Sequence, residues 1–436
     1  MKRTRLFPKK SFAEIKALHR MEQSSPMFSG GRTSGIQNAR ILWVESAILD
    51  AQLHQASLFE ILSHLAKHGH HVTFLATCPR RRKISDRRVE FLSILLRYAP
   101  IISTGMFAII LFFFLPFYVA RESIDFIVTR PDVPIFAFFP SLIVSKAKKT
   151  KLVLDIRSTP VEVRGFQSHL QKISFSASVI VAKEFFDGIT VITHPMKMEI
   201  CKTFSIDPSS VGVWTSGVSL SLFSPEKTVP DSEGLKRLLG FSNKFVVFYH
   251  GAMSPTRGLT ETVEAMKVLA VKYPNVVLFV LGTGTHLPAL KALVETEGLR
   301  DQVVFHEPVK YESVPKFIGM ADVCIVPLPD HPYWRFQCPL KLMEYLAMGK
   351  VVVVTDITAH RSVIGEAKCG IYVSSNEPSE IARSIAYAYD NRSSLEEWGK
   401  SGRTIVREKY TWDEVAKDLE TYLLLIQHRI RVEARL

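Results

Sequence analysis

The stretch Phe245 to Gly258, FVVFYHGAMSPTRG, decides how this sequence is read. An apolar run long enough for one buried strand ends in a glycine turn with one arginine, and Gly258 opens a helical pattern over Leu259 to Lys272. In that order the elements offer an anion free backbone N–H groups and about half a unit of positive charge at a helix start. Gly251 and Gly258 let a phosphate oxygen approach the backbone, and Arg257 adds a planar charged fork. The same residues also suit an ordinary turn with a solvated arginine. By itself the stretch leaves both readings open.

Some way downstream stands PLKLMEYLAMGK, residues 339–350. Pro339 opens a short helix, Leu340 to Met348, that Gly349 can terminate, and Val351 to Thr355 follows as a buried strand. Leu340, Met343, Leu346 and Ala347 mark its buried side. Lys341 and Glu344 lie three apart on one face, where they can form a helical ion pair worth about 0.2–0.5 kcal/mol. The functional alternative has Glu344 accepting hydrogen bonds from ribose hydroxyls while Lys341 and the helix start face a distal phosphate or a sugar.

Together these segments resemble the retaining GT-B glycosyltransferases of the family-4 type, the glycosyl transferases group 1. Their pattern is a Gly-Arg-x-x-x-x-Lys-Gly loop followed by a Glu-x7-Glu motif in the same domain. Here Gly251, Arg257 and Gly258 match the loop, and Ala252 stands at its first basic position. Glu344 matches the later glutamate. Phe336 takes the place of the earlier one, and the contact to the sugar hydroxyls departs with it. Cys338 to Tyr345 is similar to a Ser-Pro-x-Lys-x-x-Glu-Tyr variant of the motif. The resemblance covers residues 40 to 430. It takes in the loop Val280 to Gly284, the Ala321-Asp322-Val323 step, the Trp214 to Val218 crossover, with Ser216 where asparagine is commoner, and Tyr410-Thr411-Trp412 at the head of a C-terminal helix. It implies donor-binding roles for Gly251, Arg257, Gly258, Pro339, Lys341 and Glu344. No catalytic residue is assigned.

The rest of the chain alternates strand and helix. Buried strands are expected at Ile41 to Val44, Val72 to Ala76, Phe126 to Thr129, Leu152 to Asp155 and Ile189 to Ile192 in the first half. The second half offers Val246 to Tyr249, Val276 to Leu281, Val303 to Phe305, Val323 to Val326 and Val351 to Thr355. Such alternation implies an α/β chain with two doubly wound, Rossmann-like parallel sheets and a ligand cleft at the strand ends, the GT-B arrangement that the resemblance names. The expected divisions are a flexible basic arm over 1–36, an acceptor-side domain over 37–220, a nucleotide-sugar domain over 221–409 and a C-terminal helix, 410–436, packing back on the first domain.

Tyr98 to Ala120 is uncharged and rich in Phe and Ile. As a helix it would extend about 34 Å, enough for a hydrocarbon core of roughly 30 Å. A single crossing, however, would separate strands of one sheet, and Pro100 and Pro116 would interrupt a straight helix. A buried helix, a re-entrant hairpin and a monotopic patch remain. Arg80 to Lys83 with Arg87-Arg88, the lysines 146, 148, 149 and 151, and a formal charge of +13 favour contact with anionic lipid over nucleic acid. A peripheral or monotopic protein on the cytoplasmic face of a membrane is expected.

Five scattered cysteines lack zinc or redox spacing and fit a reducing cytosol. No Asp-x-Asp occurs, so no metal and no cofactor are expected, and protein cations would neutralise the leaving diphosphate. The clustered histidines His54, His64, His68, His70 and His71 show no convincing ligand or triad spacing. Asp155 and Arg157, at a strand end facing the cleft, are left without a role. The function implied is transfer of a sugar, with retention, from a nucleoside diphosphate sugar to an acceptor hydroxyl on a lipid-linked or polysaccharide precursor. Ala252 and Phe336 keep a catalytically silent GT-B scaffold subunit open, and a sugar-nucleotide epimerase of the same fold is the other alternative.

Overall fold

The computed structural model describes residues 38–48, 55–78, 88–96, 100–160 and 166–433. The arm 1–36, the basic cluster Arg80 to Arg87 and His54 lie outside them.

The first sheet comprises β1 (Arg40–Ile48), β2 (His71–Cys78), β3 (Val89–Leu95), β4 (Phe126–Thr129), β5 (Lys151–Ile156), β6 (Gly188–Val191) and β7 (Val211–Val213), in the order β3-β2-β1-β4-β5-β6-β7. The second comprises β8 (Phe245–His250), β9 (Val276–Leu281), β10 (Val303–His306), β11 (Val323–Val326), β12 (Val352–Thr355) and β13 (Gly370–Val373), in the order β10-β9-β8-β11-β12-β13. Every pairing is parallel. These are the two doubly wound sheets expected from the sequence. In each the order reverses beside the first strand, between β1 and β4 and between β8 and β11, which opens a crevice at the strand ends.

The central strands are buried on both faces and so read as unbroken apolar runs: β4, β5, β9, β11 and β12 have no exposed residue. Three strands were not anticipated. β3 and β13 lie at sheet edges and are only half buried, and β7 has three residues, one of them glycine. None carries an apolar run long enough to register.

Pro100–Arg121 is one helix with Pro116 inside it, so the expected interruption does not occur. Phe107, Ala108, Leu111, Leu115 and Val119 are fully buried and pack with Val44, Leu75, Ile127 and Leu152 of the sheet. That contact holds the helix together across the hydrogen bond that proline removes. The helix is apolar and long enough for a membrane span by length and composition. Packed on the sheet along one side, it forms a layer of the first domain. Its other side exposes Ile102, Met106, Ile109, Phe113 and Phe117.

The C-terminal helix Trp412–Glu433 crosses back to the first sheet, where Trp412, Val415, Leu419 and Leu423 join the core formed by β1, β2 and the helix Gln55–Lys67. Tyr422 accepts a hydrogen bond from the Ile189 N–H (3.0 Å) and donates to Ser210 O (2.5 Å). Gly188 and Gly212 leave room for its side chain; an added Cβ would stand 2.5 Å from the Tyr422 hydroxyl at Gly188 and 2.4 Å from the ring at Gly212.

Candidate functional site

The second sheet aims β8 at the N-terminus of the helix Leu259–Lys272, and the turn between them takes its shape from glycine. Gly258 caps the helix at φ +70°, and a Cβ there would stand 1.8 Å from Pro327 O. No side chain fits that position without moving the loop. Gly251 has φ +116°, and the space a Cβ would enter is bounded by Lys341 Nζ at 3.2 Å. Backbone bonds stitch the turn to the loop after β9: Gly251 N to Leu281 O, Met253 N to Thr283 O, and His286 N to Met253 O, each about 2.9–3.0 Å.

Lys341 reaches this turn from the helix Leu340–Ala347, whose N-cap is Pro339. Its side-chain nitrogen is buried, lies 3.6 Å over the Tyr249 ring and has no hydrogen-bond partner among the described residues. Burial, and after it the Arg257 charge, push the Lys341 pKa well below the usual lysine range, with Glu344 acting in the opposite sense. Arg257 lies over Trp334, 5.0 Å from the ring centre, with Nε unpaired; the Trp334 indole N–H donates to Thr256 O at 2.8 Å. Tyr249 is pushed up to about 12 by burial, and its hydroxyl donates to Ala252 O.

Glu344 is 2% exposed, and both of its oxygens are engaged. His250 Nε2 lies 2.8 Å from Oε2, and the Tyr311 hydroxyl donates to Oε1 at 2.8 Å. The Tyr345 hydroxyl accepts from the His250 backbone N–H at 3.0 Å and lies 3.0 Å from Nδ1. The carboxylate oxygen accepts, so the imidazole proton on Nε2 faces Glu344, and Nδ1 is left to the Tyr345 hydroxyl. The simple Lys341–Glu344 ion pair is not formed: Glu344 bonds across to β8 and to the 3-10 turn Tyr311–Ser313, while Lys341 bends towards Gly251.

Of the six residues the sequence singled out, Gly251 and Lys341 meet directly, Glu344 joins them through His250, and Arg257 reaches the same group through Tyr249, whose hydroxyl it influences. Gly258 caps the helix that follows the turn, and Pro339 caps the helix that carries Lys341 and Glu344. Sequence reasoning missed His250, Tyr311 and Tyr345. His250 directly precedes Gly251 in the opening motif and was legible there; Tyr311 carried no local signal.

The stretch before Pro339 is clasped by the first domain. Thr193 Oγ1 donates to Phe336 O (2.7 Å), and Ser216 Oγ donates to Cys338 O (2.9 Å). Phe336, in place of the expected glutamate, thus meets the first domain through its backbone. Asp155 and Arg157 brace the same crossover. Asp155 accepts from Thr190 Oγ1 (2.8 Å) and Trp214 Nε1 (2.9 Å), while Arg157 lies 3.5 Å over the Trp214 ring and donates to Trp214 O (2.6 Å). At the switch point of the first sheet, Glu45 on β1 pairs with Arg130 just past β4, and burial pushes the Glu45 carboxyl up to about 7. A separate cavity of about 580 Å³ lies at the hinge, lined by Thr193, Lys197, Thr215, Cys338, Tyr410 and Tyr422.

Comparison with known proteins fits this architecture. Residues 233–405 match the family described as glycosyl transferases group 1. The YtcC protein of Bacillus subtilis is 24% identical over 254 residues, 55% of this chain and 61% of YtcC. The D-inositol 3-phosphate glycosyltransferase of Corynebacterium urealyticum is 24% identical over 244 residues, 53% of this chain and 55% of that enzyme. The chain therefore spans somewhat less than two thirds of the length of these relatives. Among solved structures, Anabaena HepE in complex with UDP superposes with a TM-score of 0.70 at 15% identity, covering 88% of this chain and 99% of HepE. The family match lies in the second domain, and the likeness to HepE is one of fold across both domains.

Proposed function

We propose that the protein is a retaining, family-4 type glycosyltransferase that moves a sugar from a nucleoside diphosphate sugar to an acceptor hydroxyl. The observation that carries this reading is a pair of basic side chains, the buried Lys341 with its unpaired amine and the half-buried Arg257 with its unpaired Nε, gathered at two helix starts around Gly251. Such a cluster matches a diphosphate in charge and in hydrogen-bond donors. HepE, of the same fold, was solved with UDP bound. In this reading the diphosphate leaves on the face where the acceptor attacks, and a phosphate oxygen takes the acceptor proton. No protein nucleophile, metal or cofactor is then required. Arg257 and Lys341 stabilise the departing charge, and Glu344 orients the ribose.

The acceptor is proposed to be a lipid-linked or glycan precursor, met at the cytoplasmic face of a membrane. The helix Pro100–Arg121 packs against the turn Ile135–Phe138 and the helix Phe139–Lys148, which expose Phe136, Phe139 and Ile143 and, further along the chain, Lys146, Lys148 and Lys149. Apolar side chains bordered by lysines suit an anionic lipid surface.

The donor site is tested by thermal shift with UDP, GDP and ADP, each with and without EDTA. Stabilisation by one of them that survives EDTA and disappears in Arg257→Ala supports the reading. No stabilisation by any would favour the scaffold subunit.

A further inference from the structure

Lys341 buries an amine without a partner, and such burial is costly unless something repays it. The groups that face it from each neighbouring element offset only part of that cost. From β8 come the Tyr249 ring, whose face 3.6 Å from the nitrogen gives an ammonium a cation–π contact but no hydrogen bond, and His250, which is turned towards Glu344. From the turn come the Gly251 backbone and the Arg257 charge, which repels an ammonium. From its own helix the nearest carboxylate is Glu344, already held by His250 and Tyr311. The Tyr345 hydroxyl is committed to His250. A cation, an aromatic ring and a pre-engaged carboxylate surround an amine that points at the turn where a phosphate would lie.

Resting on the donor-site reading above, we propose that Lys341 is a neutral amine in the empty protein and takes up one proton as the diphosphate binds, so that donor binding is coupled to protonation. The step balances simply: the Lys341 amine gains a proton from solvent and becomes an ammonium paired with a phosphate oxygen. The incoming anion supplies the counter-charge that the empty site lacks, and the burial that lowers the free amine's basicity is offset on binding. Lys341 is thereby a donor-binding residue whose charge appears only with its ligand, so two uncompensated cations do not stand side by side before the nucleotide binds.

The test is isothermal titration of the full chain with UDP, GDP and ADP between pH 7 and 9, in buffers of different ionisation enthalpy. For whichever nucleotide binds, the observed enthalpy should vary with the buffer in proportion to an uptake approaching one proton. Affinity should weaken by up to about tenfold per pH unit where the empty site is neutral and the filled site charged. Lys341→Met should abolish the uptake and weaken binding at least about tenfold. Its melting temperature without nucleotide should be no lower than that of the natural chain, because a near-isosteric apolar side chain replaces an unpaired amine. Nucleotide binding whose enthalpy is independent of the buffer, or uptake that persists in Lys341→Met, overturns the inference and leaves the donor site standing. A lower melting temperature in Lys341→Met also overturns it, since the empty fold would then need the amine. Failure of all three nucleotides to bind the natural chain overturns the donor site and this inference with it.

Discussion

His250 Nε2 lies 2.8 Å from Glu344 Oε2, joining the last residue of β8 to a carboxylate buried on a helix 94 positions away. This bond fixes which way the carboxylate faces, and the Tyr345 hydroxyl fixes the imidazole in turn. A glutamate oriented in this way can accept ribose hydroxyls on its remaining lone pairs without paying for reorientation when the nucleotide arrives. Glu344→Ala is expected to weaken nucleotide binding by about 1.5–3 kcal/mol, the range for a hydrogen bond to a charged group. His250→Phe should give a smaller loss, because the carboxylate stays but its orientation relaxes. Titration of both variants checks the order, and an unaffected Glu344→Ala would remove Glu344 from the site.

Gly258→Ala tests the turn. The new methyl group would meet Pro327 O at 1.8 Å and would sit at φ +70°. A cost above about 2 kcal/mol is expected from strain and displacement of the loop, read as a lower urea midpoint, together with loss of nucleotide binding. A variant of unchanged stability would show that the turn is soft.

The protein should weaken in mild acid through His360. Burial lowers this histidine to about 4, while its Nδ1 bonds Thr355 O at 2.7 Å. Its native form therefore stays neutral where the unfolded chain, with a pKa of about 6.5, has already taken a proton. The contribution is complete above pH 6.5 and is lost as pH falls towards about 4, by at most about 1.4 kcal/mol per unit. His360→Asn keeps a donor near Nδ1 and removes the titration, so its stability should fall less steeply over that window. Equal slopes in the two proteins would contradict this assignment.

The apolar face of the first domain makes a separate prediction. Phe113 and Phe117 are 63% and 75% exposed, so replacing both by aspartate should leave folding stability within about 0.5 kcal/mol per site. The natural chain should sediment with vesicles containing phosphatidylglycerol, and less with neutral vesicles or in high salt. The double variant should stay in solution, and equal sedimentation would place the contact elsewhere.

Much of this was legible in the sequence, for identifiable reasons. Val276–Leu281 and Val323–Val326 are enclosed on both faces, so their boundaries could be read directly from hydrophobicity. Val89–Leu95 could not, because an edge strand with Glu90 and Ser93 looks like a loop. Pro100–Arg121 is apolar all round, which conceals the periodicity of the side that packs on the sheet. At the site, Gly251, Arg257 and Gly258 share one local motif. The Tyr311 bond to Glu344 spans 33 positions and exists only because the folded sheet brings the two together. Lys341 and Glu344, three apart, suggested a pair; that they diverge is decided by β8, which attracts each to a different neighbour.

The central claim is where the nucleotide binds, and hydrogen exchange measured with and without the best-binding nucleoside diphosphate tests it most directly. The account predicts slowed exchange at the amides from Gly251 to Thr262 and from Leu340 to Glu344, with both protections lost in Arg257→Ala. Protection confined to the hinge cavity, around Thr193 to Lys197 and Tyr410, would place the nucleotide elsewhere and contradict it.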